Sequence, residues 1–196
     1  MKIKLIVLFL MASVSMTWGQ SDSLESKRTS TKVIYSNSFM VGGLFGDDDN
    51  TFSAATNHGI RYGRLTTDLG VGYDSYRDWR AIPFYAYFSF DIAHMGKNAL
   101  SISVTGGYSD CVYSPKTDLD GARNYESKDG GNYSTMLGYR IPTNQYSIYI
   151  SAGYKFQRIN YSYETYYWYS GSGGPSVAHV QMDMSRVAIS LGIGLH

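Results

Sequence analysis

The sequence predicts an all-β chain that forms an eight-stranded antiparallel transmembrane up-and-down β-barrel. Eight segments alternate large apolar residues with small or polar ones, which is the period-two pattern of a strand whose two faces differ. The segments match the ~9 to 11 tilted residues with which a strand crosses a bilayer. The links between them alternate between short and long, as they do at the two rims of a membrane barrel.

Composition excludes several other classes of protein. The 196 residues carry 17 Lys plus Arg against 16 Asp plus Glu, so a net charge of +1 gives no basis for binding nucleic acid. Beyond the N-terminus, no segment approaches the ~18 consecutive apolar residues of a membrane-spanning helix. Cys111 is the single cysteine, so no internal disulfide can form. Tyrosine is abundant, with 19 residues.

The N-terminus has the layout of a secretory signal peptide, predicted at residues 1–19. Lys2 and Lys4 precede the apolar run LIVLFLMASV, and Thr17 and Gly19 occupy the positions that precede a cleavage site before Gln20. The apolar run is too short for a stable membrane-spanning helix. A flexible periplasmic lead is predicted at 20–32 and the barrel at 33–196, which makes the chain an exported protein.

The first four strands are predicted at 33–45, 51–62, 65–73 and 81–92. In each of them the large residues share one parity. They are Tyr35, Phe39, Val41 and Phe45; Phe52, Ala54, Ile60 and Tyr62; Leu65, Thr67, Leu69, Val71 and Tyr73; and Ile82, Phe84, Ala86, Phe88, Phe90 and Ile92. The third is the most regular of these early strands, because Asp68, Gly70 and Gly72 fill its other face.

The last four strands are predicted at 99–108, 132–141, 145–157 and 187–196. Their large residues again share one parity: Leu100, Ile102, Val104 and Tyr108; Tyr133, Thr135, Leu137, Tyr139 and Ile141; Tyr146, Ile148, Ile150, Ala152, Tyr154 and Phe156; and Val187, Ile189, Leu191, Ile193 and Leu195. The links at 63–64, 93–98 and 142–145 are short. The polar or longer links are 46–50, 74–80, 109–131 and 158–178.

The parity opposite the large residues collects charged side chains among Gly, Ser, Thr and Ala. These are Arg61, Asp68, Asp91, Arg140, Lys155 and Arg186. A Lys or Arg facing hydrocarbon near the bilayer midplane costs ~2 to 4 kcal/mol, whereas inside a barrel the six residues can pair. We therefore predict an internal polar network, with small residues making room for Arg61, Arg140 and Lys155. The alternative is a lipocalin-like soluble barrel with its apolar face turned inward around a ligand.

Aromatic residues at the strand ends predict a girdle at headgroup height on the lipid face. Its members are Tyr62, Tyr73, Tyr108, Tyr133, Tyr139, Tyr146 and Tyr154. In the last two strands the apolar parity changes near Gln157–Arg158 and near Ser185–Arg186. We therefore predict that both strands project beyond the membrane, with a bulge or a change of surroundings at these points.

Five segments carry a family resemblance through their alternation of Gly and aromatic residues. They are LGVGYDSY (69–76), IPFYAYFSFDI (82–92), LGYRI (137–141), AGYKFQRINY (152–161) and RVAISLGIGL (186–195). The chain resembles the small porin-like outer-membrane β-barrel family common in Bacteroidetes, which are OmpA/OmpX-like barrels without a peptidoglycan-binding domain. The resemblance implies an outer-membrane location and assembly by the barrel-insertion machinery, although this chain ends in His196 instead of an aromatic residue.

Catalytic and metal-binding patterns are weak. His58 lies on the lipid parity with Ser53 and Thr56 as its nearest hydroxyls, a combination too common in a Ser-rich chain to indicate an enzyme. The run Asp47–Asn50 lacks the alternate spacing of a calcium loop, so we interpret it as a solvated tip. GSGG at 171–174 is interpreted as loop. We predict no enzyme activity, no metal and no cofactor.

An aromatic cluster after the seventh strand is the candidate extracellular binding surface. It comprises Tyr161, Tyr163, Tyr166, Tyr167, Trp168 and Tyr169. Exposed aromatics contribute contact area with few torsions to freeze, but the same residues could instead pack on one another over the barrel mouth. The sequence thus predicts a non-enzymatic monomer in contact with outer-membrane lipid, with a structural or surface-binding role. A narrow porin-like channel is the alternative, and a lipid-modifying enzyme comes third.

Overall fold

The computed structural model describes residues 32–46, 50–114, 122–165 and 176–195. These ranges contain nine β-strands. They are β1 (Val33–Phe45), β2 (Asn50–Tyr62), β3 (Leu65–Ser75), β4 (Trp79–Met95), β5 (Asn98–Tyr113), β6 (Ala122–Lys128), β7 (Gly130–Pro142), β8 (Tyr146–Thr165) and β9 (Ser176–Leu195). Within the same ranges no helix is long and apolar enough to cross a membrane. The predicted signal peptide and residues 20–31 of the predicted lead lie outside the described residues.

Eight of the strands form a closed antiparallel ring in the order β1, β2, β3, β4, β5, β7, β8, β9. The ring closes where β1 pairs with β9, from Phe39 opposite Ile193 to Phe45 opposite Val187. This confirms the predicted eight-stranded up-and-down barrel. Closure matters physically because it leaves the ring without unpaired strand edges, which could not be solvated in hydrocarbon.

The two rims of the barrel differ in their connections. At one rim, here called the short-turn rim, two-residue turns join β2 to β3 and β4 to β5. Gly63 and Gly96 open these turns with φ of 59° and 64°, a left-handed conformation that favours glycine. β7 and β8 are connected at the same rim. The opposite rim, here called the long-loop rim, carries the connections on either side of β6 and between β8 and β9.

β6 is a strand that the sequence pattern did not predict, because it falls inside the link assigned to 109–131. It continues the line of β7 along β8: Asn132 lies opposite Gln157, and Lys128 lies opposite Asn160. The register is offset by one residue around Asp129, whose carbonyl accepts a 2.8 Å hydrogen bond from Asn160 Nδ2. The segment ARNYESK does not alternate apolar and polar residues, so periodicity could not reveal it.

The large apolar residues face outward along the ring. Leu69 is 73% exposed and Leu191 is 54% exposed, whereas Asp91 on the inner face is 3% exposed. This is the reverse of a water-soluble barrel, in which apolar side chains fill the inside. The lipocalin-like alternative is therefore wrong for this fold.

Of the two alternatives predicted for the last two strands, a bulge or a change of surroundings, the bulge is absent. The β8–β9 register runs without a shift from Tyr146 opposite Leu195 to Thr165 opposite Ser176, and each strand keeps its facing throughout. What changes is the character of the two faces. Toward the long-loop rim the inner face becomes apolar, with Ile159, Met182 and Met184, while the outer face becomes polar. We call this change the face exchange.

β6 and the parts of β8 and β9 beyond the face exchange, residues 158–165 and 176–185, are here called the outer extension. On its outward face Arg158 donates to both carboxylate oxygens of Asp183, at 2.8 and 2.9 Å. These hydrogen bonds lower the pKa of the Asp183 carboxyl. A charged pair therefore directly follows the outward apolar residue Phe156 along β8.

Candidate functional site

An ion cluster fills the lumen near the short-turn rim. Asp91 of β4 accepts hydrogen bonds through Oδ2 from Arg61 of β2 and from Arg140 Nη2 of β7, the latter at 3.1 Å. A single buried carboxylate thus links three strands of the ring. The attraction between these opposite charges compensates for their loss of hydration. Burying either arginine without the carboxylate would leave that cost uncompensated.

Asp68 lies in the lumen beside this cluster without joining it. Its Oδ2 accepts a hydrogen bond from Ser36 Oγ at 3.3 Å, and its Oδ1 is buried with no hydrogen-bond partner among the described residues. Asp68, Asp91 and Arg140 line the same small cavity, of about 20 Å³. A cavity of this size accommodates about one water molecule, a natural partner for the open carboxylate oxygen.

A second ion pair crosses the lumen nearer the long-loop rim. Lys155 Nζ lies 2.6 Å from Asp74 Oδ2, and Ser53 Oγ donates to Asp74 Oδ1 at 2.7 Å. Asp74 is fully buried. The sequence pattern missed it because the predicted third strand ended at Tyr73. Asp74 is the next residue and keeps the parity of Asp68, so an extension by one residue would have included it.

Arg186 faces the lumen from β9, directly opposite Lys155 of β8. Its Nε is buried and has no hydrogen-bond partner within the described ranges. Of the six residues predicted for the internal network, the structure joins Arg61, Asp91 and Arg140 in one cluster. Lys155 instead pairs with Asp74, while Asp68 and Arg186 stand beside these groups.

A cavity of about 100 Å³ occupies the middle of the lumen. Hydroxyl groups line much of it, and pairs of them bridge neighbouring strands: Thr105 with Ser134 and Ser151 with Ser190, each at 2.7 Å. Asn57 also lines it, with a buried Oδ1 that has no hydrogen-bond partner in the described part of the chain. Apolar atoms make up most of the cavity surface, and the hydroxyl and amide groups among them are the natural partners for ordered water.

Three glycines of the barrel wall make room for large side chains on neighbouring strands, while the accommodation of Arg61, Arg140 and Lys155 by small residues stays a prediction. A Cβ at Gly70 would overlap the ring of Tyr85, and one at Gly194 would lie 2.8 Å from the ring of Tyr149. A Cβ at Gly192 would lie 2.9 Å from Met40 Cγ. Tyr85, Tyr149 and Met40 lie on strands adjacent to these glycines, and they line the central cavity of the lumen.

An apolar cluster closes the lumen toward the long-loop rim, and we call it the rim cap. It is formed by Leu44, Tyr76, Trp79, Ala81, Cys111, Ile159 and Ala188. The Trp79 ring lies 5.0 Å from that of Tyr113 and 4.8 Å from that of Tyr161. Burial, and secondarily the nearby carboxylates of Asp110 and Asp129, raise the pKa of the Cys111 thiol to about 12.

The predicted aromatic binding surface is only partly described. Tyr161 is half-buried against the rim cap, and its ring lies 6.1 Å from that of Tyr163. Tyr166, Tyr167, Trp168 and Tyr169 lie outside the described residues, as do Asp47–Asp49, GSGG at 171–174 and His196. The described members of the cluster therefore contribute to packing at the barrel mouth, and their part in ligand binding stays a prediction.

His58 faces outward on β2 and is hydrogen-bonded on both sides of its ring. Nδ1 lies 2.8 Å from Tyr35 Oη, and Nε2 lies 3.0 Å from Thr56 Oγ1. Ser53, the other hydroxyl near it in sequence, faces the lumen and binds Asp74 instead. Tyr35, Thr56 and His58 thus hydrogen-bond with one another, which lowers the cost of placing polar side chains on an apolar surface.

The chain matches no protein-family model and no curated protein. Its fold is similar to that of the outer membrane protein OprG from Pseudomonas aeruginosa, with a TM-score of 0.52 at 11% identity over 83% of this chain and 94% of that one. It is also similar to Neisserial surface protein A, with a TM-score of 0.52 at 14% identity over 84% and 98% of the two chains. At these identities the likeness establishes the fold, an eight-stranded transmembrane β-barrel of the outer-membrane type.

Proposed function

We propose that this chain is an integral outer-membrane barrel with a closed lumen and a non-enzymatic structural or surface-binding role carried by the outer extension. The face exchange is the observation that supports this most strongly. Below it, the barrel has an apolar outside and a polar inside, which suits a hydrocarbon surrounding. Above it, β8 and β9 have an apolar inside and a polar outside, which suits water. The level of the face exchange is thus the proposed upper boundary of the membrane.

The outward tyrosines support the same placement. Tyr73, Tyr108, Tyr133 and Tyr154 lie toward the long-loop rim, and Tyr62 and Tyr146 lie at the short-turn rim; all six are exposed. Aliphatic residues such as Leu69, Leu137 and Leu191 occupy the heights between them. Two aromatic rows that flank an aliphatic band would constitute the girdles of an outer-membrane barrel, with the outer extension on the cell surface.

Side chains that cross the lumen on either side of its central cavity support a role other than transport. The Arg61–Asp91–Arg140 cluster, the Lys155–Asp74 pair and the rim cap cross the interior at three successive levels. Moving any of these fixed charges aside would separate buried ion pairs, which is costly in a low-dielectric interior. The barrel therefore supports the loops mechanically while the outer extension presents the surface.

Membrane integration is tested by folding the purified chain into detergent and lipid vesicles. An integral barrel migrates differently on gels before and after boiling, and it resists extraction from vesicles by urea or alkaline carbonate. Protease added outside intact cells should cleave within the long loops and spare the strands. Release of the protein into the soluble fraction would contradict the proposal.

The hydroxyl-lined cavity is the observation that favours the second candidate, a narrow channel. Conductance of the purified chain across a planar lipid bilayer separates the two candidates. A closed lumen gives a bilayer that stays at its baseline conductance. Discrete openings would establish the channel, and a changed opening pattern in Arg140→Ala would place the gate at the ion cluster.

A lipid-modifying enzyme is the third candidate, and His58 with Thr56 would be its reacting groups. Lipid A extracted from cells with and without the protein should give identical mass spectra if the barrel is non-enzymatic. A mass difference that disappears in His58→Ala would instead establish the enzyme. Membership in the porin-like family of Bacteroidetes rests on the sequence resemblance and is proposed on that basis.

A further inference from the structure

Among the residues that the structure describes, no strand pairs with one edge of the outer part of β9, which is here called the open edge. β1 pairs with β9 only as far as Phe45 opposite Val187, whereas β9 continues beyond this point to Ser176. Over residues 176–186 its pairing within the described ranges is with β8 alone. One side of this stretch therefore carries main-chain groups that the ring does not use.

The direction of these groups follows from the register. The Leu195 N–H donates to Asn37 Oδ1 of β1 at 2.8 Å, so odd-numbered residues of β9 point their N–H and C=O toward the β1 side. The β8–β9 register has no shift, so the same alternation reaches the outer end. The residues that present their main chain at the open edge are Val177, His179, Gln181, Asp183 and Ser185.

Residues 177–185 of this edge lack three features that commonly prevent strands from pairing. Edge strands are commonly protected by lysine, by proline or by a bulge. The stretch VAHVQMDMS at 177–185 contains neither lysine nor proline, and its register is regular. It is ~30 Å long at 3.3 Å per residue. Asp183, its one carboxylate, faces outward and is compensated by Arg158.

The geometry points to a second copy of this chain as the occupant, paired antiparallel through the same edge. A two-fold axis through Gln181 places His179 of one copy opposite Asp183 of the other, twice, with Gln181 opposite itself. All five edge residues then lie opposite one another, which gives the hydrogen-bonded pairs of an antiparallel ladder. On the inward face the same register places Val180 of one copy opposite Met182 of the other. The outward face therefore pairs an imidazole with a carboxylate, and the inward face pairs two apolar side chains.

The symmetry also fixes where the two copies reside. Copies in one membrane share one orientation, whereas this two-fold axis relates strands that run in opposite directions. The pairing therefore joins copies on facing membrane surfaces, an arrangement that rests on the proposed outer-membrane placement. The chain would then be a monomer within any one membrane, as the sequence predicts, and would form dimers only between two membranes. The edge pairing itself can be measured in detergent, independently of membrane placement.

Sedimentation velocity of the purified chain over a range of concentrations in detergent is the test. The edge predicts a dimer in the parent protein and its loss in Gln181→Pro, because proline removes an N–H that points away from β8. Gln181→Ala is the matched control and should keep the dimer. His179→Asp puts one carboxylate opposite Asp183 in each of the two pairs and should weaken association about tenfold. The double variant His179→Asp with Asp183→His should restore it.

Vesicles that carry the parent protein should cluster, and those that carry Gln181→Pro should stay dispersed. A parent protein that remains monomeric up to millimolar concentration would overturn the inference, as would a dimer that tolerates both Gln181→Pro and His179→Asp. Mobility before boiling confirms that each variant is folded. A parent protein that is folded but monomeric would contradict edge pairing and leave the proposed membrane integration untouched. A parent protein without heat-dependent gel mobility would argue against membrane integration. The two failures are therefore distinguishable.

Discussion

Among single residues, we expect Asp91 to contribute most to the stability of the lumen, because its carboxylate compensates the charges of two arginines from different strands. Replacing Asp91 with Ala leaves Arg61 and Arg140 in the interior without a counter-charge. We expect the free energy of unfolding to fall by about 3–5 kcal/mol, which is typical for removing one partner of a buried pair. Urea unfolding of the vesicle-inserted chain, followed by gel mobility, measures the change.

The control is Asp183→Ala, which removes a carboxylate from the exposed pair with Arg158. Exposed pairs contribute little to stability, so this variant should unfold close to the parent midpoint. Equal effects of the two substitutions would mean that the ion cluster near the short-turn rim is solvated, contrary to the burial of Asp91.

The reactivity of the Cys111 thiol measures whether the rim cap excludes solvent. With its pKa raised to about 12, the thiol stays protonated at pH 8, and the thiolate that reacts with iodoacetamide is nearly absent. Unfolding returns the pKa toward its ordinary value, so thiolate appears. We expect no alkylation of the folded barrel at pH 8 and complete alkylation after boiling in detergent, measured by mass spectrometry. Equal rates in both states would show that the cap admits solvent.

At the scale of elements, β9 is the strand in which the membrane boundary can be measured directly. Leu191 and His179 both face outward, on opposite sides of the face exchange. We expect Leu191→Arg to destabilise the inserted barrel by about 2–4 kcal/mol, because the guanidinium would face hydrocarbon. His179→Arg should leave stability unchanged, since water surrounds that position.

Unfolding midpoints of the two variants in lipid vesicles check this prediction. A similar cost at both positions would contradict a membrane boundary at the face exchange. The same strand also illustrates what periodicity measures. The apolar parity changes near Ser185–Arg186 along a strand whose register is regular, which excludes the bulge and leaves the predicted change of surroundings. Local sequence could not separate this from a bulge, because both transfer apolar residues to the other parity.

At the scale of the whole molecule, we predict that the ring folds without most of the outer extension. The ring of eight strands closes below the face exchange, and both ion networks lie within it. Replacing residues 160–181 by an Asn-Gly turn joins Ile159 to Met182, which already lie opposite each other. We expect this variant to insert and to keep its heat-dependent gel mobility, with a lower unfolding midpoint because Tyr161 is lost from the rim cap.

Failure of the shortened chain to insert would mean that the outer extension is needed for barrel assembly. Insertion with an unchanged midpoint would mean that Tyr161 contributes little to closing the lumen. The same variant removes the open edge of β9 and should therefore be monomeric in detergent.

The local pattern of the chain was enough to predict the eight ring strands and the parity of their faces, because a period of two is a property of neighbouring residues. The same pattern placed Arg61, Asp91 and Arg140 on the inner face of the barrel. The sharing of Asp91 by both arginines, and the pairing of Lys155 with Asp74, 81 residues away, became visible only in the folded barrel. Ring closure brings these residues together across the lumen, and side-chain reach selects the partners. Periodicity records which face a residue occupies, but which residues meet across an enclosed space depends on the whole barrel.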